Sequence, residues 1–196
     1  MKKYIVLCIT LASFPILAQE FNKNLATAKS SYASGNLENA RFAMEQMLRD
    51  LDAAIGKEIL KMMPSKMGTL SFNAANDHVT GGAGMVGLFV QRTYGTGVKT
   101  ANVDIINNSA MIAGLNTLLS LPMLTGGDPN QKQVKVQGYK SILRKEVDSE
   151  TGKTNYELQT PFNNTLLTLK VSDSSEAEIL GFANTIPLTK IAEFAQ

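Results

Sequence analysis

The chain has little of what redox and metal chemistry needs. Its 196 residues include one cysteine, Cys8, and one histidine, His78. Cys8 lies in an N-terminal apolar run that reads as an export signal, and it does not end a lipobox. Without it the chain can form no disulfide, no thiolate metal site and no cysteine nucleophile. A single histidine leaves a zinc site short of ligands. His78 sits beside Asp77 in the turn-like stretch "NAANDHVT", which reads as a solvated loop rather than a catalytic pair. No serine sits in a G-x-S-x-G elbow. We therefore expect no enzyme, no cofactor and no catalytic or metal-binding residue.

Charge of one sign is also missing. The chain has 19 basic and 17 acidic residues, and the first 18 residues carry two of the lysines and no acid. The rest of the chain is balanced and has no Lys/Arg cluster, which argues against nucleic acid as a partner. Beyond the N-terminus no apolar run approaches the ~20 residues of a membrane helix, so no stable membrane span is expected there.

The N-terminus reads MKKYIVLCITLASFPILAQE. Lys2 and Lys3 form a basic start, Tyr4 to Leu17 an apolar stretch, and Ile16-Leu17-Ala18 a cleavage site before Gln19. This pattern predicts a signal peptide over residues 1–18 and a periplasmic or secreted product. A helical hairpin is expected over residues 19–63 and a sheet domain over 64–196.

In the hairpin, Phe21, Leu25, Ala28 and Tyr32 recur at helical spacing. Gly35 suits a C-terminal helix stop and Asn36 an N-cap. The second stripe is Leu37, Ala40, Met44, Met47, Leu48, Leu51, Ile55, Ile59 and Met62, ending at Pro64. A helix of that length spans ~39 Å. Met62, Met63 and Met67 lie close together, and thioethers can bind Cu(I). Against copper, Met62 continues the helix stripe and methionine is a normal core gap filler, so the packing reading is preferred.

After Pro64 the period changes to alternation. Val86 to Tyr94 and Val98 to Ile106 form a hairpin around "YGTG", with Ala101, Val103 and Ile105 on one face. "NNSAMIAGLNTLLSLP" predicts a helix capped by Ser109, with Met111, Ile112, Leu115, Leu118 and Leu119 buried. "QVKVQGYKSILRKEV" reads as one extended strand with a bulge at Gly138. The turn "DSETGK", with its acids Glu146, Asp148 and Glu150, reads as a solvated hairpin tip. Residues 154–160 and 164–171 are strands. A helix comes next, with Asp173 and Glu176 at capping-box spacing, then a docking tail, "LTKIAEF". The fold class is α+β: an N-terminal αα-hairpin followed by a mainly antiparallel sheet with two packed helices.

"GAGMVG", Gly82 to Gly87, fits the dinucleotide fingerprint G-x-G-x-x-G. That motif needs a helix to start at its last glycine, whereas here an alternating stretch comes next. We read Gly81–Gly87 as a glycine-rich loop feeding a strand, with a mobile lid as the alternative. "NNS" (107–109) and "NNT" (163–165) match the N-glycosylation pattern, but the signal looks bacterial and they carry no weight.

"YASGNLENARFAMEQML" resembles a single tetratricopeptide unit, with Tyr32, Gly35, Ala40 and Met44 at the repeat's marked positions. One copy cannot build a solenoid. The element order of residues 66–193 resembles small α+β proteins of the PsbP/Mog1-like class. It is similar too to exported bacterial proteins with a "GM-x-G…R-x-Y" strand (Gly84, Met85, Gly87, Arg92, Tyr94), a "V-x-I-x-x-x-S-x-M" joint (Val103 to Met111) and a "V-x-G-Y-K" strand (Val136 to Lys140). That resemblance implies a non-enzymatic accessory role and transfers no site residues. The expected function is a protein-binding module of the cell envelope with an envelope protein as partner. The alternative is a carrier of a small apolar ligand.

Overall fold

The computed structural model describes residues 14–82, 87–107, 111–120 and 128–194. The expected signal peptide, apart from the start of the first helix, lies outside these residues, as does Ser109. Chain contacts divide the protein into two compact units, 1–50 and 51–196. The division falls inside the second helix rather than after Met63, because the C-terminal part of that helix packs on the sheet.

In the first unit, α1 (Phe14–Ala33) turns back into α2 (Leu37–Met62). Gly35 takes a φ of 78°, and the Asn36 N–H reaches back to the Ser31 carbonyl at 2.9 Å, a helix-ending motif that favours glycine. The Asn36 side chain then accepts from the Asn39 N–H at 3.1 Å, so it is the expected N-cap. The packed face keeps Ala28 and Ala40 of the expected stripes but not their larger members. Ala28, Ser31, Ala40 and Ala43 are buried, while Tyr32, Leu37, Met44 and Leu48 are exposed. Small residues let two helices approach closely, which leaves the larger neighbours outside the seam. Asn39 Nδ2 donates to Ser31 Oγ at 2.6 Å across that seam.

The second unit is built on a seven-stranded antiparallel sheet, so the α+β class holds. Its strands are β3 (His78–Thr80), β4 (Phe89–Thr96), β5 (Lys99–Asn107), β6 (Gln131–Val136), β7 (Tyr139–Val147), β8 (Thr154–Phe162) and β9 (Thr165–Val171). Their order is β3-β4-β5-β9-β8-β7-β6. After β5 the chain passes through α3 (Met111–Ser120) to the far edge, and four strands then walk back until β9 pairs with β5. A two-stranded ribbon, β1 (Lys66–Met67) with β2 (Leu70–Ser71), precedes the sheet, and α4 (Glu176–Thr185) and α5 (Leu188–Phe194) come after it.

Several expectations are corrected in detail. Residues 133–147 are two strands, because Gln137 and Gly138 take φ of 49° and 88°. Two positive φ values in a two-residue loop make a hairpin turn whose twist matches the strands, not a bulge. The loop around His78 contains the edge strand β3. The α4 cap is Ser175, whose side chain accepts from the Glu178 N–H, rather than Asp173. Asp173 has a φ of 47° and precedes the cap. Met111 is exposed; Ile112, Leu115 and Leu119 carry the packing of α3.

Alternation along each strand gives the sheet two different faces. One carries Val90, Tyr94, Val103, Leu158 and Leu169, in a single buried cluster with Ile59 and Met63, with Ile179 and Phe182 of α4, and with Ile191 of α5. Gly56 lets α2 come close: a Cβ there would stand 2.5 Å from Val79 Cγ1 and 2.8 Å from Leu88 Cδ1. On the other face a smaller buried cluster lies under α3, where Ile142 and Leu166 meet Ile112, Leu115 and Leu119.

Candidate functional site

Two places in the second unit concentrate polar chemistry. The first is buried on the covered face. Arg92 shares the phase of Val90 and therefore points into the apolar side, at 6% exposure. Its Nε donates to Asp77 Oδ1 at 2.9 Å, its Nη2 to Asp77 Oδ2, and its Nη1 to the Leu60 carbonyl at 2.8 Å. Its guanidinium lies 4.2 Å from the centre of the Phe72 ring. A buried guanidinium is tolerable only with such partners. Two residues further along β4, Tyr94 donates its hydroxyl to the Pro64 carbonyl at 2.9 Å. Burial pushes the Tyr94 phenol up to about 12, and the neighbouring Arg92 charge offsets only part of that. These side chains tie the end of α2 to β4, which is a structural role.

That network uses up Asp77. His78 turns instead toward Phe89, with ring centres 6.0 Å apart. The Asp77–His78 neighbours therefore do not form an acid–base pair. Met63 and Met67 are buried in the apolar cluster and Met62 packs against it, so these sulfurs fill space in the core. Asp148 accepts from the Glu150 and Thr151 N–H groups at 3.0 and 2.8 Å. Those bonds hold its carboxyl below the usual range, the Thr151 N–H first among them.

Of "GAGMVG", residues 83–86 lie outside the described residues. Gly87 donates to the Asn107 carbonyl at 3.2 Å, and β4 begins two residues later. A strand, not a helix N-terminus, comes after the last glycine, so the phosphate-binding geometry of the dinucleotide motif is not built. Gly82 bonds to the carboxylate of Asp52. Burial raises the Asp52 pKa, and the Gly82 N–H partly opposes the rise.

The second place is the open part of the polar sheet face. Register sets its side chains in rows. One row runs Thr93, Asn102, Lys170, Glu157, Arg144 and Gln131 across six strands. It is cross-linked: Thr93 Oγ1 donates to Asn102 Oδ1 at 2.8 Å, Lys170 lies 3.2 Å from Glu157, and Arg144 Nε donates to Gln131 Oε1 at 2.8 Å. The next row holds Thr100, Asn155 and Glu146, with Ser172 beside Thr100. The second row, with Asn102, Lys170, Glu157 and Arg144 of the first and with Asp128 and Asn130, lines an open cleft of about 460 Å³. Toward α3, Gln159 is 5% exposed and its Oε1 has no hydrogen-bond partner among the described residues.

Sequence reasoning assigned no role to these rows. The signal was present as polar residues at alternate positions of β5, β8 and β9, but it looks the same as any solvated face. Only strand order brings Asn102, Lys170 and Asn155 to one corner of the sheet. Among the described residues no group of three or more His, Cys, Asp or Glu side chains could hold a metal ion, and no helix is long and apolar enough to cross a membrane. Searched against protein-family models, curated proteins and solved structures, the chain matches none.

Proposed function

We propose that the protein is an exported accessory factor of the cell envelope that binds another protein through its N-terminal hairpin. The supporting observation is an exposed apolar stripe on α2. Leu37, Met44 and Leu48 are 62%, 49% and 55% exposed, and their spacing of seven and four places them on one helix face. Solvated large apolar residues at that spacing are the pattern an amphipathic partner helix covers. The flank alternates in sign, Glu38, Arg41, Glu45 and Arg49, with Arg41 and Glu45 paired at 3.0 Å. Such a border fits a helix whose own flanking charges alternate, rather than a strongly charged one.

The element-order likeness to PsbP/Mog1-like proteins belongs to the same reading, since it implies an accessory rather than a catalytic role. The carrier reading needs an apolar cavity between sheet and helices. That space is occupied by the packed cluster, and most of the residues lining the cleft on the open face are polar or charged.

Native mass spectrometry of the protein drawn gently from its own envelope tests the proposal. A stoichiometric protein complex is expected with the natural chain. It should vanish for Met44→Glu combined with Leu48→Glu, while the melting temperature stays within a few degrees. A complex indifferent to those changes, or a chain that carries only a small molecule, overturns it.

A further inference from the structure

We infer that the open polar face of the sheet is a binding site for a small carboxylate-bearing ligand, centred on Asn102, Lys170 and Asn155. The fold has already used part of the hydrogen-bonding capacity of this face. Asn155 Oδ1 accepts from the Asp173 backbone N–H at 3.1 Å. A backbone N–H can only donate, so this bond fixes the amide and turns its NH2 toward the cleft. Asn102 uses one end of its amide on Thr93, whose Oγ1 donates to Asn102 Oδ1 at 2.8 Å, and its NH2 is left for another acceptor. Both carboxamides therefore present donors on strands that flank Lys170.

Glu157 is the acid nearest to this corner, and it is already shared. Lys170 approaches it at 3.2 Å and Arg144 at 4.0 Å, so one carboxylate faces two cations. The remaining acids of the cleft, Asp128 and Glu146, stand toward β6 and β7. The corner between β5, β9 and β8 thus offers two amide NH2 groups and an ammonium to an incoming acceptor. A carboxylate matches that set, since it accepts at two oxygens and carries the charge that Lys170 complements. A volume of about 460 Å³ lies in the range of small-molecule sites.

Such a carboxylate has two natural sources, an acidic sugar or the C-terminus of a short peptide. Both can be tried on the 15N-labelled protein by following the Asn102 and Asn155 side-chain NH2 signals. The probes are D-glucuronate and N-acetyl-alanyl-alanine, against their neutral carboxamides. Shifts at both NH2 groups, saturating with a Kd of about 1 mM (roughly −4 kcal/mol), are expected with the carboxylates and not with the amides. A response to glucuronate alone identifies the sugar source, and a response to the dipeptide alone the chain terminus.

The double variant Asn102→Ala, Asn155→Ala removes both NH2 donors without adding charge. Followed through the backbone amide signals of the strands lining the cleft, it should bind at least ten-fold more weakly while its melting temperature stays within a few degrees. Lys170→Gln, which leaves Glu157 with Arg144, should lose affinity to a similar degree. The proposal is overturned if neither carboxylate moves these signals, if the neutral amides move them equally, or if the variants bind unchanged.

Discussion

The two faces of the seven-stranded sheet share every strand and differ in almost everything else. On the covered face, an arginine and a tyrosine sit among aliphatic side chains, and every polar atom they bring is matched to a fixed partner: Asp77, the Leu60 carbonyl and the Pro64 carbonyl. On the open face, polar residues are linked in rows but keep spare donors and partial exposure. The same alternation that drives one set of side chains out of water leaves the other free to meet a ligand. The contrast shows that an ion pair's worth depends on its surroundings: the Arg92–Asp77 pair is nearly dry, while Lys170 and Glu157 remain in a screening environment.

The sharpest way to break that comparison is to remove one acid from each face. Asp77→Ala leaves a buried guanidinium uncompensated and should cost about 3–5 kcal/mol, read by urea denaturation. Glu157→Gln, whose partners are solvated, should cost under ~1 kcal/mol. Equal losses would show that the covered face does not isolate its charges.

Alkaline titration is the next largest effect. The folded chain holds the Tyr94 proton up to about 12 against an ordinary 10.0, so folded protein binds more protons than unfolded chain in that window. Stability from this group is complete below about pH 10 and is lost as pH rises toward 12, by roughly 2–3 kcal/mol for a two-unit shift. Tyr94→Phe should flatten this part of the stability–pH curve. If the variant's stability still falls by the same amount, the loss belongs to other groups.

Glycine gives the smallest and most selective test. Gly56 faces Val79, Leu88 and Val90 at distances where a Cβ must displace them, whereas Gly181 in α4 has open space. Gly181→Ala should stabilise by about 0.5–1 kcal/mol through helix propensity. Gly56→Ala should destabilise by about 1–2 kcal/mol despite the same gain, because the packed side chains must move. Stabilisation at both positions would mean that α2 does not press closely on the sheet.

The sequence by itself determined the fold class, the two helices of the hairpin with their Gly35–Asn36 joint, the apolar phase of β5, and the absence of dinucleotide geometry after Gly87. These follow from local periodicity and turn chemistry, which act over a few residues. It also contained, unread, the sign that Arg92 points inward, since Arg92 shares the phase of Val90. Tertiary structure alone decided that small residues rather than Leu37, Met44 and Leu48 form the helix seam, that Asp77 serves Arg92 rather than His78, and that Ser175 caps α4. It also decided that β9 lies between β5 and β8, which brings Asn102, Lys170 and Asn155 together. The physical reason is the same throughout: spacing along the chain sets which face a side chain takes, while only the order in which strands and helices assemble sets what that face meets.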